Sequence, residues 1–270
     1  AHTLLASELP AYGLGLPSSW KRSIGRRLDR SLPRMARRVV SVTDKIKDRL
    51  QADGGIPEDR ISVISSGVEL ELFEEDPERD RAPQEVKRIA FTGNLAPYQG
   101  IDLLLQSLAV LASRRDDVRL TIASEASFEP YEALATRLGI RHLIDLAPVK
   151  FAQVPSILAD SDIAVSPRVD CDGVPQKVLN YMAAARPVVA FKGSAPGLSH
   201  DQTAWLVDDG DVSAFADGIM VLVDDFARAR RIGKQARAYV KSHHSWSSVG
   251  EKIEQAYLDV LGLATPNERL

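Results

Sequence analysis

Between Asp172 and Phe191 the sequence DGVPQKVLNYMAAARPVVAF puts a turn, a helix and a strand in immediate succession. Gly173 and Pro175 shape the turn. Pro175 falls just ahead of 176–185, a run of good helix formers whose first backbone N–H groups have no partner within the helix. Such a helix start accepts an anion. The backbone N–H groups of Gly173 and Val174 extend the cradle, because loop geometry rather than side-chain identity presents them. Pro187 then stops the helix, and Val188, Val189, Ala190 and Phe191 form the continuous apolar run of a parallel strand covered on both faces.

Other reactive residue types have plainer readings. Cys171 adjoins Asp172 but has no adjacent base, so it reads as a small loop residue rather than a nucleophile. His243 and His244 are consecutive, and adjacent helical positions face different directions. They read as a polar helix break rather than a shared metal site. One cysteine permits no intrachain disulfide and fits a reducing compartment.

The remaining sequence supplies the frame. A chain of 270 residues, 44% of them hydrophobic, is long enough to bury a full core, and a net charge of -3 argues against general nucleic-acid binding. No apolar run approaches the roughly 18 residues that span a bilayer, and no secretory signal precedes the first strand, so the expectation is a cytoplasmic protein, soluble or peripheral. From residue 87 onward apolar runs alternate with amphipathic stretches, the signature of βαβ units and a parallel sheet. The pattern predicts strands at 88–92, 118–123, 142–145, 162–166, 187–191 and 205–207, and helices at 100–114, 128–138, 151–159, 176–185 and 212–224. It predicts two more helices over 226–262, broken near His243 to Ser245. Upstream it predicts a basic helix, a strand over 39–43, a helix over 44–52 and a strand over 61–65, and the charged, proline-containing loop 75–86 is expected to be exposed.

The pattern Pro175, Lys177, Tyr181, Met182, Ala183 followed by Pro187–Ala190 resembles the donor-site segment of retaining glycosyltransferases with the GT-B fold. FTGNLAPYQGIDLLL at 91–105 resembles the first loop and helix of that family's C-terminal domain. SDIAVSPR at 161–168 and AWLVDDGDVSAFAD at 204–217 resemble the segments flanking the donor site, and Ser245 with Trp246 resembles the mark near its last helices. Five motifs in the family's order make the resemblance specific. It implies an α/β fold: a GT-B type Rossmann-like parallel sheet with helices on both faces, plus a truncated remnant of an N-terminal Rossmann-like domain. The expected division is 1–74 for the remnant, 75–250 for the nucleotide-sugar-binding domain, and 251–270 for a helix returning towards the N-terminal side, with Ser66-Gly67-Val68 and Phe73 as the link. Two complete domains of roughly 100–200 residues fit tightly here, so the chain is expected to be a C-terminal fragment or a naturally truncated homologue.

The resemblance further implies transfer of a sugar from a nucleotide-sugar donor, a UDP-sugar before a GDP-sugar, to a saccharide or lipid-linked acceptor with retention. Neither metal nor cofactor is expected. Two other classes remain open: a nucleotide-sugar-binding module without activity, and another GT-B enzyme such as a sugar-nucleotide epimerase. In the family two basic residues hold the leaving diphosphate. The matching positions, between Gly93 and Gly100, are Asn94 and Gln99, which donate hydrogen bonds but carry no charge. Charge-assisted bonds contribute about 1.5–3 kcal/mol against roughly 0.5–1.5 for neutral ones, so Lys177 and Arg168 are expected to compensate.

The family's pair of glutamates matches Asp172 and Asn180. The resemblance makes Asp172 an acceptor for sugar hydroxyls and Asn180 a ribose ligand. The plainer alternatives are a turn former and a helix-surface residue. His2, in HTLLASELP, matches a histidine that faces the donor sugar, where an imidazole donates to the leaving phosphate or the sugar. His2 and Asp172 are therefore the candidate catalytic residues. Val149, with Val154 nearby, is a candidate wall for the base.

Residues 20–38 hold eight basic residues and one acidic one, a local +7 that leaves -10 on the rest of the chain. Trp20, Ile24, Leu28 and Leu32 recur at helical spacing opposite many of the cations, although Pro33 interrupts the pattern. A helix of this kind can lie on an anionic membrane, each nearby cation contributing about 1 kcal/mol. The alternative is a packed helix whose apolar stripe meets a core. Nucleic acid is not expected, because no aromatic interleaving accompanies the charge.

Overall fold

Thr43, Asp211 and Ser245 each accept a hydrogen bond from the backbone N–H three residues further on, and a helix starts after each of them. The computed structural model describes residues 5–11, 15–73 and 85–263. The chain divides into two compact units. One gathers the described residues through Gly67 and from His243 onward, and the other runs Val68–Ser242. The breaks thus follow Gly67 and Ser242, compared with the expected divisions after 74 and 250. His2 and most of the loop 75–86 lie outside the described residues.

In the first unit α1 (Leu5–Glu8) lies against α2 (Ser18–Met35), because Asp29 accepts from the backbone N–H groups of Leu5 and Ala6, each at 2.9 Å. β1 (Val39–Ser41) pairs in parallel with β2 (Ile61–Val63), and α3 (Asp44–Ala52) makes the crossover. Val39, Ile46, Leu50, Ile56 and Ile61 form their core. α10 (Trp246–Leu261) packs Val249 and Ala256 with Ile64. The Trp246 ring lies so close to Gly67 that a Cβ there would fall 2.7 Å from it.

The helix α2 runs through Pro33 to Met35, so the proline interrupts the apolar pattern but not the helix; standing in the last turn, it costs one backbone bond. Only Lys21 and Gly25 of α2 are buried, while Trp20, Ile24, Leu32 and Met35 remain exposed. The described core therefore does not take up the apolar stripe. Arg30, Arg34 and Arg38 have structural roles. Arg30 and Arg34 donate to the Asp53 and Gly54 carbonyls at the end of α3, and Arg38 reaches Ser62 and Asp259.

The second unit is a six-stranded parallel sheet made of β3 (Lys87–Thr92), β4 (Val118–Ala123), β5 (Ile144–Ala147), β6 (Ile163–Ser166), β7 (Val188–Phe191) and β8 (Trp205–Val207), in the order β5-β4-β3-β6-β7-β8. Parallel neighbours need crossovers. Four of these are supplied by α4 (Ile101–Ala112), α5 (Glu129–Arg137), α6 (Val154–Ala159) and α7 (Gln176–Ala183); β7 reaches β8 through a 3-10 turn at Lys192–Ser194, and α8 (Val212–Asp224) and α9 (Phe226–His243) follow the last strand. Strand alternation splits the core. Ile89, Phe91, Ile163, Val165, Val189 and Phe191 cluster with Leu104, Leu108, Phe215 and Ile219 of α4 and α8. On the other face Ala90, Ala164, Val188 and Ala190 cluster with Leu158, Val178, Tyr181, Met182 and Val240 of α6, α7 and α9.

Several boundaries differ from expectation by one to three residues, and two of them have a clear local cause. The edge strand β5 starts at Ile144 rather than 142, because a 3-10 turn over Arg141–Leu143 follows the left-handed Gly139 and uses up the first residues. α7 closes at Ala183, before Pro187 can stop it. Ala185 takes a left-handed φ of 53°, its N–H bonds the Met182 carbonyl, and the Arg186 N–H bonds that of Tyr181. The consequence of the strand order lies between β3 and β6, whose connections leave in opposite directions. That reversal opens a crevice beyond their carboxyl ends, where doubly wound sheets take their ligands.

Candidate functional site

β3 delivers Gly93 and β6 delivers Pro167 and Arg168 to that crevice. The loop from Gly93 to Gly100 is pinned to the β6 loop by a close approach: Gly100 has φ 71°, and a Cβ there would stand 2.1 Å from the Pro167 carbonyl oxygen. Only glycine fits both the conformation and the space. Within the loop Asn94 Oδ1 accepts from the Ala96 N–H at 3.1 Å and from Gln99 Nε2 at 3.2 Å, and Asn94 Nδ2 donates to the Tyr98 hydroxyl at 3.1 Å. The other end of the Gln99 amide, Oε1, accepts from Lys177 Nζ at 2.7 Å. Asn94 and Gln99, expected as direct hydrogen-bond donors to a ligand, shape the loop, and Gln99 meets a cation. The residues concerned are as much as 78 positions apart, so no local signal could have shown it.

Lys177 sits in the first turn of α7 with Nζ 4.0 Å from the centre of the Phe91 ring, and a Cβ on Gly93 would come within 3.2 Å of it. Burial pushes its pKa down to about 7, and the neighbouring Arg168 charge adds to the shift. Among the described residues no carboxylate lies within ion-pair reach of Lys177. The Arg168 guanidinium lies 4.9 Å from the centre of the Tyr98 ring, and its Nε donates to the Asp170 carbonyl at 2.6 Å. Two cations, one from the β6 loop and one from the first turn of α7, thus meet at the switch point, the second half-buried over an aromatic face. Chemically the arrangement can receive a compact anion, whose charge would favour the ammonium that desolvation disfavours.

The other expected residues distribute as follows. Asp172, Gly173, Val174 and Pro175 are half-buried in the loop that leads into α7, whose N-terminus has no side-chain cap. Asn180, three residues after Lys177, is 5% exposed, and its amide makes no hydrogen bond to another described residue. Val149 is half-buried beyond the edge strand β5, and Val154 belongs to the core cluster that includes α7. Cys171 is half-buried with its N–H on the Gly193 carbonyl. His244 Nδ1 stands 3.0 Å from the Ser66 carbonyl oxygen, and burial lowers the pKa of its ring; with Ser245 capping α10, it shapes the helix break. No group of three or more His, Cys, Asp or Glu among the described residues is arranged to hold a metal.

Comparison with known proteins gives a consistent result. Residues 86–225 match the family described as glycosyl transferases group 1, and residues 1–72 match glycosyltransferase family 4. The D-inositol 3-phosphate glycosyltransferase of Corynebacterium glutamicum is 26% identical over 83% of this chain and 57% of that protein. The phosphatidyl-myo-inositol mannosyltransferase of Mycobacterium leprae is 27% identical over 72% of this chain and 52% of that one. The chain spans little more than half the length of these curated relatives. Among solved structures, sucrose-phosphate synthase of Thermosynechococcus elongatus superposes with a TM-score of 0.79 at 16% identity, covering 97% of this chain and 67% of that one. Anabaena HepE, solved with UDP and glucose, gives 0.77 at 18% identity, covering 95% and 70%.

The buried ammonium has a stability consequence. Lysine titrates near 10.5 when unfolded and near 7 here. Between those values the unfolded chain binds the extra proton, so stability rises with pH across the window, and below about pH 7 the full cost remains. Lys177→Met keeps the volume and the contact with Phe91 but removes the charge. Denaturant unfolding near neutral pH should show the variant more stable by about 1–3 kcal/mol, with the rise towards alkaline pH abolished. A variant no more stable than the parent would contradict the burial of an unneutralised charge.

Proposed function

This chain belongs to the group 1 glycosyltransferases, and from that membership we propose that it grips a nucleotide-sugar by its diphosphate, through Lys177 and Arg168, and transfers the sugar to a saccharide or lipid-linked acceptor. The observation that carries the reading is the half-buried, desolvated ammonium of Lys177, set without a carboxylate partner among the described residues at the point where the sheet's connections reverse. UDP is the favoured nucleotide, supported by the HepE structure with UDP and glucose.

In this reading the diphosphate lies beyond Gly93, between the two cations, with the backbone of Gly173 and Val174 alongside. The buried amide of Asn180 takes a ribose hydroxyl, and Asp172 accepts from hydroxyls of the donor sugar. The bond between the anomeric carbon and the diphosphate oxygen breaks while the acceptor hydroxyl oxygen bonds to the same face of that carbon. The acceptor's proton passes to the departing diphosphate, so configuration is retained and no protein nucleophile is used. Lys177 and Arg168 stabilise the charge that grows on the leaving group, the work a metal ion does elsewhere.

The test is calorimetric titration with UDP and then GDP, with a chelator present. Saturable binding of one nucleotide is expected, weakened about tenfold or more by Lys177→Met. Binding unaffected by that substitution contradicts the assignment. Binding without sugar transfer to any acceptor favours a nucleotide-binding module.

For the acceptor, α2 supports a membrane surface. Trp20, Ile24, Leu32 and Met35 are exposed, and Arg22, Arg26 and Arg27, also exposed, are not among the arginines bonded to α3. No described helix is long and apolar enough to cross a membrane, so the contact proposed is peripheral. Co-sedimentation with phosphatidylglycerol vesicles should exceed that with phosphatidylcholine vesicles and fall with Trp20→Ala and Ile24→Ser together. Equal sedimentation with both lipids would count against it.

A further inference from the structure

We propose that Tyr181 is a positioning residue of the donor site, its buried hydroxyl tying the end of β3 to the helix that carries Lys177 and so setting the Gly93–Gly100 loop against that cation. The proposal rests on the donor-site reading above.

The argument begins with a shortage of hydrogen-bond partners. The β3–β6 ladder pairs Ile89 with Ile163 and Ala90 with Ala164 and goes no further. On the other side β3 stays paired with β4 through Thr92, and the Gly93 N–H bonds the Ala123 carbonyl. Successive N–H groups of a strand point to opposite sides, so the Thr92 N–H points towards β6, where the ladder has ended. Ser166 stands two residues beyond Ala164, as Thr92 stands two beyond Ala90, and its buried hydroxyl has no partner among the described residues. The neighbouring strand therefore does not satisfy Thr92.

Tyr181 does. Its hydroxyl accepts from the Thr92 N–H at 2.7 Å and lies 3.2 Å from Thr92 Oγ1 and 3.4 Å from the Thr92 carbonyl. The side chain is fully buried, and burial raises the phenol to about 12, so the proton stays on the oxygen at neutral pH. Thr92 is the last residue before the loop, and Tyr181 lies one turn along α7 from Lys177. The bond thus spans 89 positions to join the two pieces whose separation decides whether Gln99 reaches Lys177. A core tyrosine with a merely structural role would stabilise the fold without affecting that reach.

Tyr181→Phe keeps the ring and removes the bond. UDP should then bind about tenfold more weakly. The Lys177 ammonium, followed by NMR, should titrate closer to an ordinary lysine as the loop loosens. Amides from Thr92 to Gly100 should exchange faster with solvent while those of β4 and β7 keep their protection. A variant that loses stability yet keeps its affinity and Lys177 titration would overturn the proposal. If the parent protein binds neither UDP nor GDP, the donor-site reading fails, and the Lys177 titration and amide exchange still decide the role of Tyr181. Should the variant not fold, exchange of the Thr92 amide in the parent decides: protection equal to that of Phe91 is expected, and exchange at the rate of an open loop contradicts it.

Discussion

The crevice at the switch point depends on one costly arrangement: a half-buried ammonium group over Phe91 whose one hydrogen-bond acceptor among the described residues is the amide oxygen of Gln99. Burying a charge without a counter-ion opposes folding, and the cost shows in the depressed pKa of Lys177. The surroundings are organised to tolerate it. Gly93 leaves room for the ammonium, Gly100 lets its loop close on Pro167, Asn94 orients Gln99, and Tyr181 holds the strand from which the loop departs. Each of these contributions is modest. Together they keep a cation where the empty protein gains little from it, which points to a ligand that repays the cost.

The position of this arrangement follows from the fold. A parallel sheet whose connections reverse between β3 and β6 must leave the ends of those two strands uncovered by crossovers: β3 runs into the Gly93–Gly100 loop, and β6 runs into the segment that carries Arg168 and then Lys177. The resemblance to the GT-B family implied charge at positions 94 and 99, where this chain has amides. The structure relates the substitutions to one another: the amides at 94 and 99 hand the loop over to a lysine that reaches in from α7. Asn180, in place of the family's second glutamate, is consistent with this, because a carboxylate one turn from Lys177 would neutralise it within the protein.

Much of this fold was legible from local signals. The helix over 44–52 and the helix over 212–224 start after Thr43 and Asp211, whose side chains cap them, and β4 occupies its apolar run from Val118 to Ala123. The misses also had local causes. β5 is a half-exposed edge strand preceded by a 3-10 turn, so its apolar residues do not mark its start. The end of α7 depends on an alanine in a left-handed conformation, where a glycine would have announced it. For the site, residue types and glycine positions pointed to the loops that meet at the switch point, and Lys177 and Arg168 do lie together there. What Asn94, Gln99 and Tyr181 do was hidden, because each role is a contact between distant parts of the chain. The exposed stripe of α2 was visible as a pattern, but its exposure was not, since periodicity shows a face without showing what covers it.

The most direct test of the central claim, that Lys177 is the cation awaiting the diphosphate, is the number of protons taken up on binding. The heat of binding of a UDP-sugar, whose diphosphate has no proton to exchange near neutrality, would be measured at about pH 8 in buffers of different ionisation enthalpy. The account predicts uptake of close to one proton per nucleotide, as a lysine that is mostly neutral in the empty site becomes charged. Binding with no proton uptake would contradict it.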